Sequence, residues 1–149
     1  MFTILHPRRS DRSLERRLNA AQALSAELFA EVAQCSGRFR SLAGSGKLAR
    51  LTRLVEGSAW MDAALDLLPI VAPSWRVKRI APLDGEWLCT LSVFPDLPDE
   101  LDDSVEATHA SLPTALLLCL AVVLHRDTAL SAPRGSPAQT EASRTRARS

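Results

Sequence analysis

Two residues of this sequence have the types and the spacing that a metal or acid–base site would need. Glu106 and His109 are three positions apart, so on a helix their side chains would share one face. Asp102 and Asp103 precede them, and His125 follows the next apolar run. Di-iron bundles take a Glu-x-x-His motif from each of two helices, and this chain has one. We therefore predict no metal, cofactor or catalytic residue. Glu106 and His109 are kept as weak metal candidates for an alternative function as a small enzyme or metal-binding protein.

A second group of residues could bind anions through the first predicted helix. Five arginines in its first turns could follow phosphates or another polyanion. They are Arg8, Arg9, Arg12, Arg16 and Arg17. No helix-turn-helix spacing, aromatic RNA-binding motif or set of zinc ligands accompanies them. The cluster indicates at most a weak anion or nucleic-acid binder, which we keep as a third function, and we do not predict sequence-specific recognition of nucleic acid.

Two further patterns do not support catalysis. Gly44-Ser45-Gly46-Lys47 invites a phosphate-loop interpretation, but that motif needs Gly at 41 and Ser or Thr at 48, where this chain has Ser41 and Leu48. The three cysteines are far apart, odd in number and without a C-x-x-C pair. They are typical of buried thiols in a reducing compartment, so we expect a cytoplasmic protein.

Charge is distributed unevenly along a chain whose length fits one domain with tails. Residues 1–53 carry ten basic and four acidic residues (+6), residues 54–126 carry four and eleven (−7), and residues 127–149 carry four and two (+2). Such asymmetry favours self-complementary assembly or an anionic partner. The longest apolar run, 112–124, is shorter than the roughly 18 residues that a membrane span needs, so no span is expected.

The elements that would position these residues are helices around one β-hairpin. Turn chemistry at Pro82-Leu83-Asp84-Gly85 predicts a hairpin over 75–93. In its second strand Trp87, Cys89 and Leu91 alternate onto one face, and we expect Trp75 and Trp87 to anchor the core. Spacings of three and four predict one helix over 8–35, a linker over 36–46, and helix from Lys47 to Pro69 with a weak point at Gly57.

Beyond the hairpin, the sequence predicts an extended acidic loop followed by helices. Asp102 or Asp103 is expected to cap a helical segment near 104–111, and an all-apolar helix should follow over 113–126. The predicted fold is α+β, a small helical domain with a two-stranded antiparallel β-hairpin packed against helices. We divide it into 1–46, a basic N-terminal helix and linker; 47–126, the α+β core; and 127–149, a disordered tail.

Several short motifs resemble a group of short uncharacterised bacterial proteins. They are Asp84-Gly85-Glu86-Trp87-Leu88-Cys89-Thr90-Leu91-Ser92, Leu97-Pro98, Leu101-Asp102-Asp103, Glu106-Ala107, His109 and Leu112-Pro113. The resemblance covers about residues 48–124 and implies a unit made of helix, hairpin, acidic loop and helix. It implies no function and no site residue.

The leading functional hypothesis is a non-enzymatic protein-interaction or structural module. The apolar stripe Leu14, Leu18, Leu28, Val32 and the helix 114–124 offer more apolar surface than one hairpin and one helix would cover. We therefore predict a homodimer that buries one of these helices against its twin.

Overall fold

A computed structural model describes residues 7–42 and 45–131 of the chain, with side chains described for 13–39, 41 and 45–127. Within these residues, five α-helices, one 3₁₀ helix and three strands follow in this order: α1 Pro7–Ala20, α2 Ala26–Gln34, the 3₁₀ helix Gly37–Leu42, α3 Gly46–Glu56, α4 Trp60–Val71, β1 Arg76–Leu83, β2 Glu86–Ser92, β3 Ser104–His109 and α5 Leu112–Ser131. The fold is α+β.

The single helix predicted over 8–35 is wrong, because the chain breaks between α1 and α2. The amide of Leu28 donates to the Ser25 hydroxyl at 3.2 Å, so Ser25 is an N-cap and not part of a continuous helical stripe. Such a cap contributes about 1 kcal/mol to a helix start. The break lets Leu18 of α1 and Val32 of α2 both reach the same core.

The middle helices agree with the sequence prediction at Gly57 and differ from it at Pro69. Gly57 separates α3 from α4, as predicted. Pro69 does not end α4, since the helix continues to Val71. Proline has no amide hydrogen, so the carbonyl of Leu65, four residues before Pro69, lacks its usual donor in the helix. Leu65 is exposed, so water can donate to this carbonyl instead. The segment 36–46 that we predicted to be a linker is partly helical, since the 3₁₀ helix Gly37–Leu42 lies within it. Its end belongs to the next helix, because Ser45 is the N-cap of α3.

The prediction of a two-stranded hairpin is also wrong, because the sheet has three antiparallel strands in the order β1-β2-β3. The predicted hairpin forms its first two strands. Asp84 and Gly85 make its turn with φ of 50° and 81°, the left-handed conformation that a two-residue Asp-Gly turn requires.

The third strand occupies the segment that we predicted to be helical. From Ser104 to His109, residues alternate between the two faces, and Leu91 of β2 pairs with Val105 while Cys89 pairs with Ala107. Val105 and Thr108 are β-branched, which favours a strand. Asp102, expected as a helix cap, instead bonds to residues of β1 and β2.

The core is organised around α5, which is buried on nearly every side. It packs across β2 and β3 on one side and against α1, α2 and α4 on the others. Of the residues on which the dimer prediction rested, Leu14, Leu18, Val32 and all of 114–124 except Val122 are buried inside the single chain, and Leu28 is partly buried against the same core. The surplus apolar surface argued from the sequence is therefore not available to a second copy. No helix of the described residues has the length and apolarity needed to cross a bilayer.

The two tryptophans expected as core anchors have different environments. Trp75 is 7% exposed and belongs to the core, whereas Trp87 is 39% exposed. Trp87 does share the face of Cys89 and Leu91, and it pairs with Pro82 of β1. Since Cys89 and Leu91 of the same strand and face are buried, the exposure of Trp87 follows from its position beside the hairpin turn, at the start of β2.

Both predicted chain segments outside the core are described only in part. α5 continues to Ser131, so residues 127–131 of the predicted tail are helical, and residues 132–149 lie outside the described residues. Leu14 and Phe29, from the predicted N-terminal unit, share one apolar core with Leu67 and Leu116 of the predicted α+β unit.

Candidate functional site

The connection between β2 and β3, residues 93–103, presents the most distinctive surface of the described chain. We call it the acidic loop. Two turns shape it: the Leu97 amide donates to the Phe94 carbonyl at 3.0 Å, and the Leu101 amide donates to the Pro98 carbonyl at 2.9 Å. The Val93 amide donates to the Asp103 carbonyl at 3.1 Å and closes the base of the loop. A connection that the sequence presented as merely extended is thus folded.

Asp102 anchors this loop to the sheet. Its side chain has no exposed surface, and its two carboxylate oxygens accept from the Ser92 hydroxyl at 2.6 and 2.5 Å. The Phe94 amide donates to it at 3.0 Å and the Lys78 ammonium at 2.8 Å. A buried carboxylate needs such donors, because an unpaired one would be strongly destabilising. We call Lys78, Ser92 and Asp102 the clamp.

Lys78 reaches the clamp because β1 is irregular where it stands. The register of β1 against β2 shifts between Val77 and Arg79, which leaves Lys78 without a partner on β2. A bulge of this kind redirects a side chain out of the regular alternation. The Lys78 ammonium also donates to Asp99 at 2.7 Å, so one cation holds two carboxylates of the acidic loop.

The clamp is ionic at neutral pH. Burial raises the pKa of Asp102, but the bonds from Lys78, Ser92 and the Phe94 amide outweigh it, so the pKa of Asp102 is lower than that of an ordinary Asp. The hydrogen bonds to Asp102 and Asp99 raise the pKa of Lys78. With Ser92 fully buried and Lys78 held protonated, neither group can act as a nucleophile or base, and the arrangement is suited to support.

What the clamp supports is an apolar surface framed by carboxylates. Phe94, Leu97 and Leu101 are 55, 40 and 71% exposed. They are three of the seven large apolar side chains that are exposed among the described residues. Asp96 and Glu100 lie between them and have no ion pair within the described part of the chain. Large apolar groups concentrated in this way on a small domain are typical of protein-binding surfaces.

The two weak metal candidates are not brought together. Glu106 and His109 lie on strand β3, not on a helix, and an odd spacing on a strand directs side chains to opposite faces. Glu106 is exposed and its carboxylate accepts from the Thr90 hydroxyl at 3.4 Å. His109 is buried, and its Nδ1 accepts from the Ser111 amide at 2.9 Å. Within residues 7–42 and 45–131, no three metal-ligating side chains converge.

The arginine cluster is described only in part. Positions 8, 9 and 12 lie on the α1 backbone, but their side chains are outside the described set. Arg16 is exposed, while Arg17 is paired with Glu31 of α2 through both of its terminal nitrogens. Arg17 therefore helps to join two helices, and Arg16 is the one described member of the cluster whose side chain has no ion pair among the described residues.

The cysteines are structural. No disulfide links Cys35, Cys89 or Cys119 in the described chain. The Cys119 thiol of α5 donates to the Cys89 carbonyl at 3.1 Å, and both residues are buried. The interaction with the Cys89 side chain and burial raise the pKa of the Cys119 thiol, so it stays protonated and unreactive.

The sequence did not reveal the clamp. Its three residues come from β1, β2 and the acidic loop, and the only available signal was an Asp at the end of the acidic loop, which also fits a helix cap.

Fold and site together define a small α+β domain that carries a clamped, exposed acidic loop. No family model matches the chain, and no curated protein or solved structure gives a significant match.

Proposed function

We propose that this chain is a non-enzymatic protein-interaction module that binds through the acidic loop, and that its partner is a second copy of the chain. The observation that carries the proposal is the exposure of Phe94, Leu97 and Leu101 on a loop whose base is closed by the buried Asp102. Covering these side chains would remove apolar surface from water, which contributes about 25 cal/mol per Å².

The clamp supports binding because it fixes the loop in advance. A free loop of this length would lose backbone conformational entropy on binding, at a cost of about 1 to 2 kcal/mol for each residue fixed. Here the bonds from Lys78, Ser92 and the Phe94 amide to Asp102 have already ordered the backbone. The clamp is therefore better explained as support for a binding surface than as part of a reacting site.

Charge complementarity supports a second copy as the partner. The carboxylates of Asp96 and Glu100 have no ion pair among the described residues, and the same is true of the exposed guanidinium groups of Arg38 and Arg53. The overall charges of +6 for residues 1–53 and −7 for residues 54–126 extend this contrast. In a twofold dimer, each acidic loop can face the basic surface of the other copy.

The reduced thiols support a cytoplasmic location. Cys89 and Cys119 lie next to each other in the core and form no disulfide, as is usual in a reducing compartment. The resemblance of residues 48–124 to short bacterial proteins supports a bacterial cytoplasm.

Sedimentation equilibrium at several micromolar concentrations tests the proposal. We expect a mass that approaches twice the 16.2 kDa of the chain and that returns to the monomer value for Leu101→Gln. Leu65→Gln is the matched control, because Leu65 is an exposed leucine of α4 outside the acidic loop. A monomer mass at every concentration would reject self-association, and dissociation by Leu65→Gln alone would reject the acidic loop as the interface.

A further inference from the structure

A groove of about 700 Å³ runs between β3 and α1, away from the acidic loop. Its volume is in the range of about 300 to 1,000 Å³ that is usual for ligand sites. The residues that line it come from α1, the β-hairpin, β3 and α5. They are Glu15, Arg16, Asn19, Leu83, Leu88, Glu106, Ala107, Thr108, Leu118 and Val122.

The groove passes the outer edge of β3 and continues over the face of the sheet that carries Leu83 and Leu88. Three consecutive strand residues, Glu106, Ala107 and Thr108, line it, although side chains of a strand alternate between its faces. A groove that touches both faces of one strand must pass along its edge. β3 is an outer strand of the sheet, so this edge offers backbone groups that no other described strand uses.

The walls of the groove give it a chemical preference. On the side of α5, Leu118 and Val122 are one helical turn apart and form an apolar floor. Glu15 and Glu106 contribute carboxylates on opposite walls, and neither has an ion pair among the described residues. The cation among the lining residues is Arg16, which leaves the groove with a net negative charge.

We propose that this groove binds an extended, basic peptide segment of a partner protein as a fourth strand of the sheet. The peptide backbone pairs with the free edge of β3. Its apolar side chains, at alternate positions, face Leu118 and Val122, and a Lys or Arg on its other face lies beside Glu106. Main-chain bonds then supply affinity, and the carboxylates supply selectivity.

The inference does not depend on the function proposed for the acidic loop. None of residues 93–103 lines the groove. Each surface can therefore fail its own experiment while the other passes.

The probes are four capped seven-residue peptides. Two of them alternate Val with Thr and carry either Lys or Glu at the centre. The other two are versions of the Lys peptide that are N-methylated at every second amide, so that one peptide has its amides blocked along one edge of the strand and the other along the opposite edge. Binding to the full chain is followed by amide chemical shifts. We expect the Lys peptide to bind about tenfold more tightly than the Glu peptide, with shifts at 106–108. N-methylation should weaken binding about tenfold on one edge only, because only one edge can pair with β3.

Two variants test the charge preference. Glu106→Gln should reduce the preference for Lys to less than about threefold, because the carboxylate beside the peptide is lost. Glu100→Gln, on the acidic loop, should leave the preference unchanged. Absence of binding by all four peptides, equal binding of both N-methylated peptides, or shifts confined to 93–103 would each overturn the proposal.

Discussion

Thr114 offers a direct test of how the first turn of α5 is packed. Its side chain is 1% exposed, and its hydroxyl has no hydrogen-bond partner among the described residues. A buried hydroxyl without a partner costs about 1 to 3 kcal/mol relative to a satisfied one. Thr114→Val removes the hydroxyl and keeps the branched shape, and Thr and Val have similar helix propensities. We therefore expect this substitution to raise the free energy of unfolding by about 1 to 2 kcal/mol.

Urea unfolding at constant pH measures the effect, and thermal unfolding should show an increase of about 3 °C per kcal/mol for a chain of this size. Two controls separate the hydroxyl from the methyl group. Thr114→Ser keeps the hydroxyl and loses a buried methyl, and should cost about 1 kcal/mol. Thr52→Val changes an exposed Thr on α3, whose hydroxyl donates to the Leu48 carbonyl at 2.9 Å, and should stay within about 0.5 kcal/mol of the parent.

If Thr114→Val is no more stable than Thr52→Val, the Thr114 hydroxyl has a partner. In that case the first turn of α5 packs differently from the arrangement described above.

Two further predictions concern the core and the clamp. Trp75→Ala should cost about 3 to 5 kcal/mol in urea unfolding, whereas Trp87→Ala should cost about 2 kcal/mol or less, because 39% of Trp87 is exposed; the reverse order would contradict the described position of α5 over the sheet. The clamp should be insensitive to pH from about 5 to 10. Because the pKa of Asp102 is lowered, its contribution to stability is present above about pH 3.9 and is lost as the pH falls through the lowered value. Because the pKa of Lys78 is raised, its contribution to stability is present below about pH 10.4 and is lost as the pH rises through the raised value. Asp102→Asn should therefore flatten the acid limb of stability against pH, and an unchanged acid limb would show that Asp102 is not held as described.

The sequence was most informative where local patterns and burial agree. The apolar run around Leu117 predicted a helix, and Asp84-Gly85 predicted the turn of the hairpin; both predictions are confirmed. Trp87 was assigned to the correct face of β2, yet it is exposed because it stands beside the hairpin turn, whereas Cys89 and Leu91 further along the same strand are buried. Which part of β2 the rest of the chain covers is set by tertiary packing and is not encoded near Trp87.

Strand β3 could not be predicted because short-range signals competed. Asp102 and Asp103 before Ser104 have the residue types of a helix cap, and this signal was preferred to the polar–apolar alternation of residues 104–108, which favours a strand. Pairing with β2 decides the outcome, through contacts such as Leu91 with Val105. The clamp was missed for the same reason, since Lys78 and Asp102 are 24 positions apart and each has an ordinary local interpretation.

The central position of α5 has a consequence for synthesis of the chain. α5 follows all other described elements in sequence, yet it contacts α1, α2, α4 and two strands of the sheet. A chain that emerges from its N-terminus therefore exposes the apolar faces of these elements until residues beyond 112 have been made. During that interval these apolar faces are open to non-native contacts, and a ribosome that stalls before α5 would leave an aggregation-prone fragment. Completion of α5 is thus the event that joins the preceding apolar faces into one cooperative unit.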